Sequence, residues 1–131
     1  MKYSSLAACA GAVLIMAGCA TDQGPAAPGA TFDGTYRLVS IDSNAIPGSA
    51  DLTIDGQAIH GQGPCNLYNA QNNANWPQIS LTAIASTRRA CRIEGGEAAF
   101  LAALGQVSQA SRTGNTLELS GPVHRLRFTV E

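Results

Sequence analysis

His60-Gly61-Gln62-Gly63-Pro64-Cys65-Asn66-Leu67-Tyr68 is the stretch on which the reading of this chain turns. Two glycines and a proline interrupt any regular run, and glycine lets a strand bend or bulge at a sheet corner. A second cysteine, Cys91, lies downstream. Cys65 therefore has three chemical readings: a thiol nucleophile, a metal ligand or half of a disulfide. Gly61-Gln62-Gly63 is not a phosphate loop, because no Gly-Lys follows and no strand leads into a helix.

Upstream of this corner, Thr35-Tyr36-Arg37-Leu38-Val39-Ser40-Ile41 reads as a strand from its β-branched and aromatic content. Residues 43–49 hold Asn44, Pro47 and Gly48 and read as a loop. Asp51-Leu52-Thr53-Ile54-Asp55 alternates with period two, so Leu52 and Ile54 share a face and Asp51 and Asp55 face solvent. Gly56 turns the chain, and residues 57–61 form a weaker strand that enters the corner.

Downstream, residues 66–68 read as a short strand and the asparagine-rich residues 70–75 as a polar turn. Residues 76–81 read as a strand with Ile79 and Leu81 inward, its start limited by Pro77. Residues 84–91 fit either strand or loop. The helix is predicted over 97–106, where Phe100, Leu101, Leu104 and Val107 make one apolar face and four alanines favour the helix. Glu94 and Glu97 lie near its start, where the dipole favours anions. The last part is β: residues 108–112, 116–120 and 124–130 form a meander. A three-residue loop at 113–115 joins the first two. A two-residue turn at Gly121-Pro122 would set Leu117 opposite Leu126 and Glu118 opposite Arg125, with His124 inward.

The N-terminus decides the chemistry of the corner. Lys2 precedes an apolar run from Leu6 to Ala17, which is shorter than the ~20 residues a spanning helix needs. Residues 1–18 read as a secretory signal peptide. Its end, Leu14-Ile15-Met16-Ala17-Gly18-Cys19, resembles the bacterial lipobox. By that resemblance Cys19 carries lipid and becomes the mature N-terminus, anchoring the protein to a membrane without spanning it. Ala20 stands where an aspartate would favour the inner membrane, so the expected site is the outer membrane, facing the periplasm. Residues 19–31, rich in proline, glycine and alanine, read as the lipidated cysteine and a tether reaching at most ~40 Å. The domain then spans residues 32–131.

Without Lys2 the chain has seven arginines against nine acids, a formal charge of −2. That balance argues against nucleic acid as a partner. Cys9 leaves with the signal peptide and Cys19 is lipidated, so Cys65 and Cys91 remain as an even pair in an oxidising space, which reads as a disulfide. A zinc site from Cys65, Cys91, His60 and His124 has suitable ligand types but no common spacing. A thiol nucleophile would need a free cysteine.

Several stretches together resemble the META domain, the HslJ-like family of bacterial envelope proteins. Gly34-Thr35-Tyr36-Arg37-Leu38-Val39-Ser40-Ile41 is similar to its opening strand. Gly61-Gln62-Gly63-Pro64-Cys65-Asn66-Leu67-Tyr68 is similar to its Gly-x-x-Gly-Cys-Asn-x-Tyr stretch, with Pro64 where glycine is common. Ile84-Ala85-Ser86-Thr87-Arg88-Arg89-Ala90-Cys91 is similar to its Ala-Ser-Thr-x-x-Ala-Cys stretch, and residues 97–104 and 117–128 to its helix and closing strands. The resemblance implies an α+β, mostly β fold: a small, partly open antiparallel β-barrel with one packed helix. It implies association with envelope integrity, stress, antibiotic tolerance and virulence, and it brings no catalytic set.

The functional expectation is a monomeric, non-enzymatic, lipid-anchored envelope module that binds a protein or another envelope component. The alternative is a periplasmic carrier of a small amphiphile inside the barrel. No catalytic residue, metal or cofactor is expected. Arg88, Arg89 and Arg92 flank Cys91, and with Trp76 they make the candidate interaction surface, since arginine forks suit carboxylates and phosphates. Asn66 is expected to bond backbone at the corner, as Asx residues do.

Overall fold

The computed structural model describes residues 32–131 and Gly11. The expected signal peptide (1–18), lipidated Cys19 and tether (19–31) otherwise lie outside the described residues. Eight strands and one helix follow one another: β1 (Gly34–Ile41), β2 (Asp51–Asp55), β3 (Ala58–Gln62), β4 (Leu67–Asn72), β5 (Leu81–Ser86), α1 (Gly96–Leu104), β6 (Gln109–Thr113), β7 (Thr116–Ser120) and β8 (Arg125–Val130). The strands form one antiparallel sheet in the order β5-β4-β3-β2-β1-β8-β7-β6, curled into an open half-barrel. The two halves of the chain meet where β1 pairs β8.

Alternation builds the core. Leu52 and Ile54 of β2, Ile59 of β3, Tyr68 and Ala70 of β4, Leu117 and Leu119 of β7 and Leu126 and Phe128 of β8 are buried. A bulge between Leu38 and Ser40 shifts β1 by one residue, so both Tyr36 and Ile41 point inward. The helix fills the concave side with Phe100, Ala103 and Leu104, and Phe100 meets Tyr68 edge-on at 5.3 Å between ring centroids.

Four expectations are corrected. The polar run after Tyr68 is not a turn: β4 continues to Asn72, whose amide is buried and bonded through both its oxygen and its nitrogen. Its Oδ1 accepts the Ala74 and Ser80 N–H groups at 3.0 and 2.9 Å, and its Nδ2 donates to the Gln78 carbonyl at 3.0 Å. An amide so satisfied stabilises a buried strand end. Residues 76–80 consequently turn, and β5 starts only at Leu81. The segment before it pairs with β6 across the barrel opening: the Ala110 N–H donates to the Pro77 carbonyl at 2.8 Å and the Ile79 N–H to the Ser108 carbonyl at 2.9 Å.

The two hairpin turns of the C-terminal meander also differ. Thr113 pairs Thr116, so the first turn has two residues, Gly114-Asn115, with Gly114 at φ +58°. In the second, Leu117 faces Phe128 and Glu118 faces Arg127. Proline's fixed negative φ does not suit a two-residue turn, so the loop grows to residues 121–124, closed by the Gly121 N–H on the His124 carbonyl at 2.9 Å. A shift of two residues keeps every leucine on its face. His124, however, leaves the inward row for the loop.

Phe100 has no exposed surface and joins the helix to the sheet. Phe100→Ala should lower the stability of the full chain by about 3–5 kcal/mol, read as a lower denaturation midpoint; an unchanged midpoint would show that the helix does not carry the core.

Candidate functional site

The corner between β3 and β4 meets two other parts of the chain. Cys65 and Cys91 lie at disulfide distance, with Cα atoms 5.3 Å apart and a sequence separation of 26. A link closing such a loop stabilises by about 3.5 kcal/mol in the chain-entropy model. Gly61 is required by contact: a Cβ there would sit 2.4 Å from the Asp51 carbonyl oxygen. Asp51 also departs from the simple solvated reading, since its Oδ1 accepts the Gln62 N–H at 2.9 Å.

Asn66, beside the cysteine, is buried and bonded on every side. Its Oδ1 accepts the Arg89 N–H at 2.6 Å and the Thr87 hydroxyl at 2.9 Å. Its Nδ2 donates to Glu97 Oε2 at 2.6 Å. Glu97 Oε1 in turn accepts the backbone N–H groups of Asn66 at 2.7 Å and Cys65 at 3.3 Å. The expected bond of Asn66 to backbone at the corner is thus made, and its partner is Arg89, 23 positions away in sequence. Glu97 does lie in the first helical turn, but its carboxylate is spent on the corner. Thr87 completes the joint, accepting the Leu67 N–H at 3.1 Å.

From this joint residues 87–95 leave as an exposed loop carrying Arg88, Arg89 and Arg92. None of the four ion pairs among the described residues includes these arginines. Ile93 stands among them, 40% exposed. Trp76 is not with them. It is half-buried at the other end of β4, stacked on Phe32 at 5.2 Å, with its indole N–H donating to the Gly56 carbonyl at 2.9 Å. The candidate surface therefore divides: the three arginines share one loop, and Trp76 anchors the opposite pole.

The histidines and the buried tyrosines lie outside the arginine loop. His60 is exposed on the outer face of β3, opposite Thr53 and Asn69. His124 Nδ1 meets Asp42 Oδ2 at 2.6 Å. The zinc reading is thereby disassembled, since the cysteines face each other and the histidines lie elsewhere. Burial pushes the Tyr68 phenol well up, helped by the Asp51 charge, and its hydroxyl donates to the Asp51 carbonyl at 2.6 Å. Burial also raises Tyr36, against the pull of Arg112, whose guanidinium donates to its hydroxyl at 3.2 Å. Sequence reasoning missed the roles of Glu97, Thr87 and Asp42. The adjacency of Cys65 and Asn66 was the only local signal of the first two, and Asp42 meets His124 across 82 residues.

Two outcomes test these contacts. Asn66→Ala should destabilise by about 2–3 kcal/mol through the groups left unbonded, and a double-mutant cycle with Glu97→Ala should show coupling of about 1–3 kcal/mol; additive effects would break the joint apart. The His124 bond, then the Arg125 N–H, hold Asp42 below the usual carboxylate range. Its contribution is present above the unfolded value of about 3.9 and is lost as pH falls through the lower folded value. The gap in unfolding temperature between the parent and Asp42→Asn should be open just above that range and close in strong acid. A gap independent of pH would remove the assignment.

The chain matches the family model of the META domain over residues 30–131. Among curated proteins none matches. A solved NMR structure of a protein from Burkholderia xenovorans shares the fold with a TM-score of 0.62, covering 76% of this chain and 82% of that one. At 24% identity that likeness concerns the fold alone. The strand order, the packed helix and the Cys65–Asn66 corner meeting the Cys91 loop are found in a chain whose family model covers the entire described domain: this protein belongs to the META domain family.

Proposed function

We propose that the chain is a lipid-anchored, non-enzymatic binding module of the bacterial envelope, standing on the outer membrane and facing the periplasm. The META family, not a known enzyme family, supports the general class. The observation that carries the reading is the position of the arginine loop. It is held by the Cys65–Cys91 pair and by Asn66, it is exposed, and its charges have no ion partners among the described residues. Anchoring the loop's backbone in this way lowers the ordering cost of binding. Phe32, through which the tether joins the domain, lies beside Trp76 at the far end of β4, a strand of six residues or roughly 20 Å. An anchored domain can therefore present the arginines away from its own membrane.

The carrier alternative lacks an interior. Tyr36, Leu52, Phe100, Leu117 and Phe128 fill the half-barrel with no exposed surface of their own. The hollow of about 400 Å³ beside the corner opens at the surface and is lined by Arg37, Asp51, Gln62 and Glu131 among others. A polar, open groove does not suit an apolar cargo. Links to envelope stress and antibiotic tolerance belong to this proposal as physiological settings for the module.

Cys19→Ser tests the anchor. The parent should fractionate with the outer membrane and carry the mass of its acyl chains, and the variant should be soluble and unacylated. A variant that stays in the membrane, or a parent without added mass, overturns the lipid anchor.

A further inference from the structure

The curled sheet has two edges, β5 and β6, and they are treated differently. The edge of β6 is covered in its first half by residues 77–79 and bears the charge of Arg112 in its second. Charge and cover are two devices by which sheets avoid adding foreign strands. The β5 edge, Leu81-Thr82-Ala83-Ile84-Ala85-Ser86, has no charge and no proline. A bulge protects only its beginning: Ala70 pairs Ile84 but Asn72 pairs Leu81, one extra residue on β5. From Ile84 to Ser86 the pairing with β4 is regular, and Ala85 and Ser86 are exposed.

The ladder gives the direction of the backbone groups on this edge that find no partner among the described residues. The Thr87 N–H donates to the Leu67 carbonyl at 2.9 Å. Antiparallel alternation then turns Ala85 toward β4, and turns the backbone N–H and C=O of Ile84 and Ser86 outward. Immediately beyond lie Arg88, Arg89 and Arg92. An open segment of strand ends in three arginines without ion partners among the described residues.

We propose that the outer edge of β5 accepts an added antiparallel strand from an extended peptide with an acidic N-terminal end. Every pair in this sheet is antiparallel, and an antiparallel addition puts the N-terminal end of the guest beside the arginines. Backbone bonds to Ile84 and Ser86 supply affinity without sequence demand, and the carboxylates meeting Arg88, Arg89 and Arg92 supply register and selectivity. The inference names the partner class for the binding-module reading on which it rests, and it is independent of the lipid anchor.

The test uses the full chain purified in detergent and a dye-labelled peptide with an acidic N-terminal end followed by alternating valine and threonine. Fluorescence anisotropy should show saturable binding that weakens with salt. Ser86→Pro removes an outward N–H without touching the β4 ladder, and should weaken binding about tenfold, as should joint Arg88→Glu, Arg89→Glu and Arg92→Glu. Ser86→Ala should bind as the parent does. A peptide N-methylated at alternate backbone positions should bind about tenfold less, which probes the edge even where Ser86→Pro fails to fold. Undiminished binding of the methylated peptide overturns strand addition while leaving the arginine face as a binding surface. Undiminished binding to the arginine variant overturns the acidic requirement. A self-dimer that Ser86→Pro dissociates, with no peptide bound, makes the guest a second copy and overturns the proposal.

Discussion

The Asn66 amide is the contact on which the other parts of this domain depend. Its two polar ends reach in opposite directions, to the Arg89 backbone and Thr87 on one side and to Glu97 on the other. Three segments are thereby fixed together: the β3–β4 corner and, 23 positions and more downstream, the loop after β5 and the first turn of α1 into which it leads. Each of those segments presents polar groups that burial would otherwise leave costly. The cysteine pair beside Asn66 lies at disulfide distance, and its bond would constrain the same junction covalently. One bond restricts the unfolded chain and the other satisfies the folded one, so they act on different sides of the folding equilibrium.

A domain of about 100 residues buries a limited core and has little stability to spare. Here the sheet curls, and the helix supplies what the curl alone leaves open. Phe100 and Leu104 occupy the concave side, and residues 77–79 bridge toward β6. The opening is thus reduced by an aromatic plug and by a short backbone bridge. This construction consumes the barrel interior, which directs any binding toward the surface.

Surface chemistry is divided between two poles. At one, Phe32, Trp76 and Gly56 tie the entry of the chain to the β2–β3 turn, with the Gly56 N–H also donating to Asp33 Oδ1 at 2.9 Å. At the other, the arginine loop and the end of β5 project from the Asn66 junction. Elsewhere cations are paired: Arg125 and Arg127 with Glu118, and Arg37 with Glu131. The contrast between these exposed pairs, individually weak, and the arginine loop, which enters no ion pair among the described residues, sets that loop apart from the rest of the surface.

Sequence by itself determined the strands whose alternation is clean. Leu52 and Ile54, Leu117 and Leu119, and Leu126 and Phe128 are buried as the period of two requires, and the helix around Phe100 and Leu104 follows from its apolar spacing. It also located the corner from its glycines and proline, and it paired the cysteines from their even count in an expected oxidising space; the structure sets them at disulfide distance. Tertiary structure decided everything that depended on a distant partner. Asn72 reads as a turn residue until Ser80 and Gln78 satisfy its amide. His124 reads as inward until proline lengthens its loop and Asp42 receives it. Glu97 reads as a helix-start acid until the corner places two backbone N–H groups against it. Periodicity records which face a residue takes, whereas a polar side chain's role is set by what stands opposite it, and for these residues that neighbour comes from elsewhere in the fold.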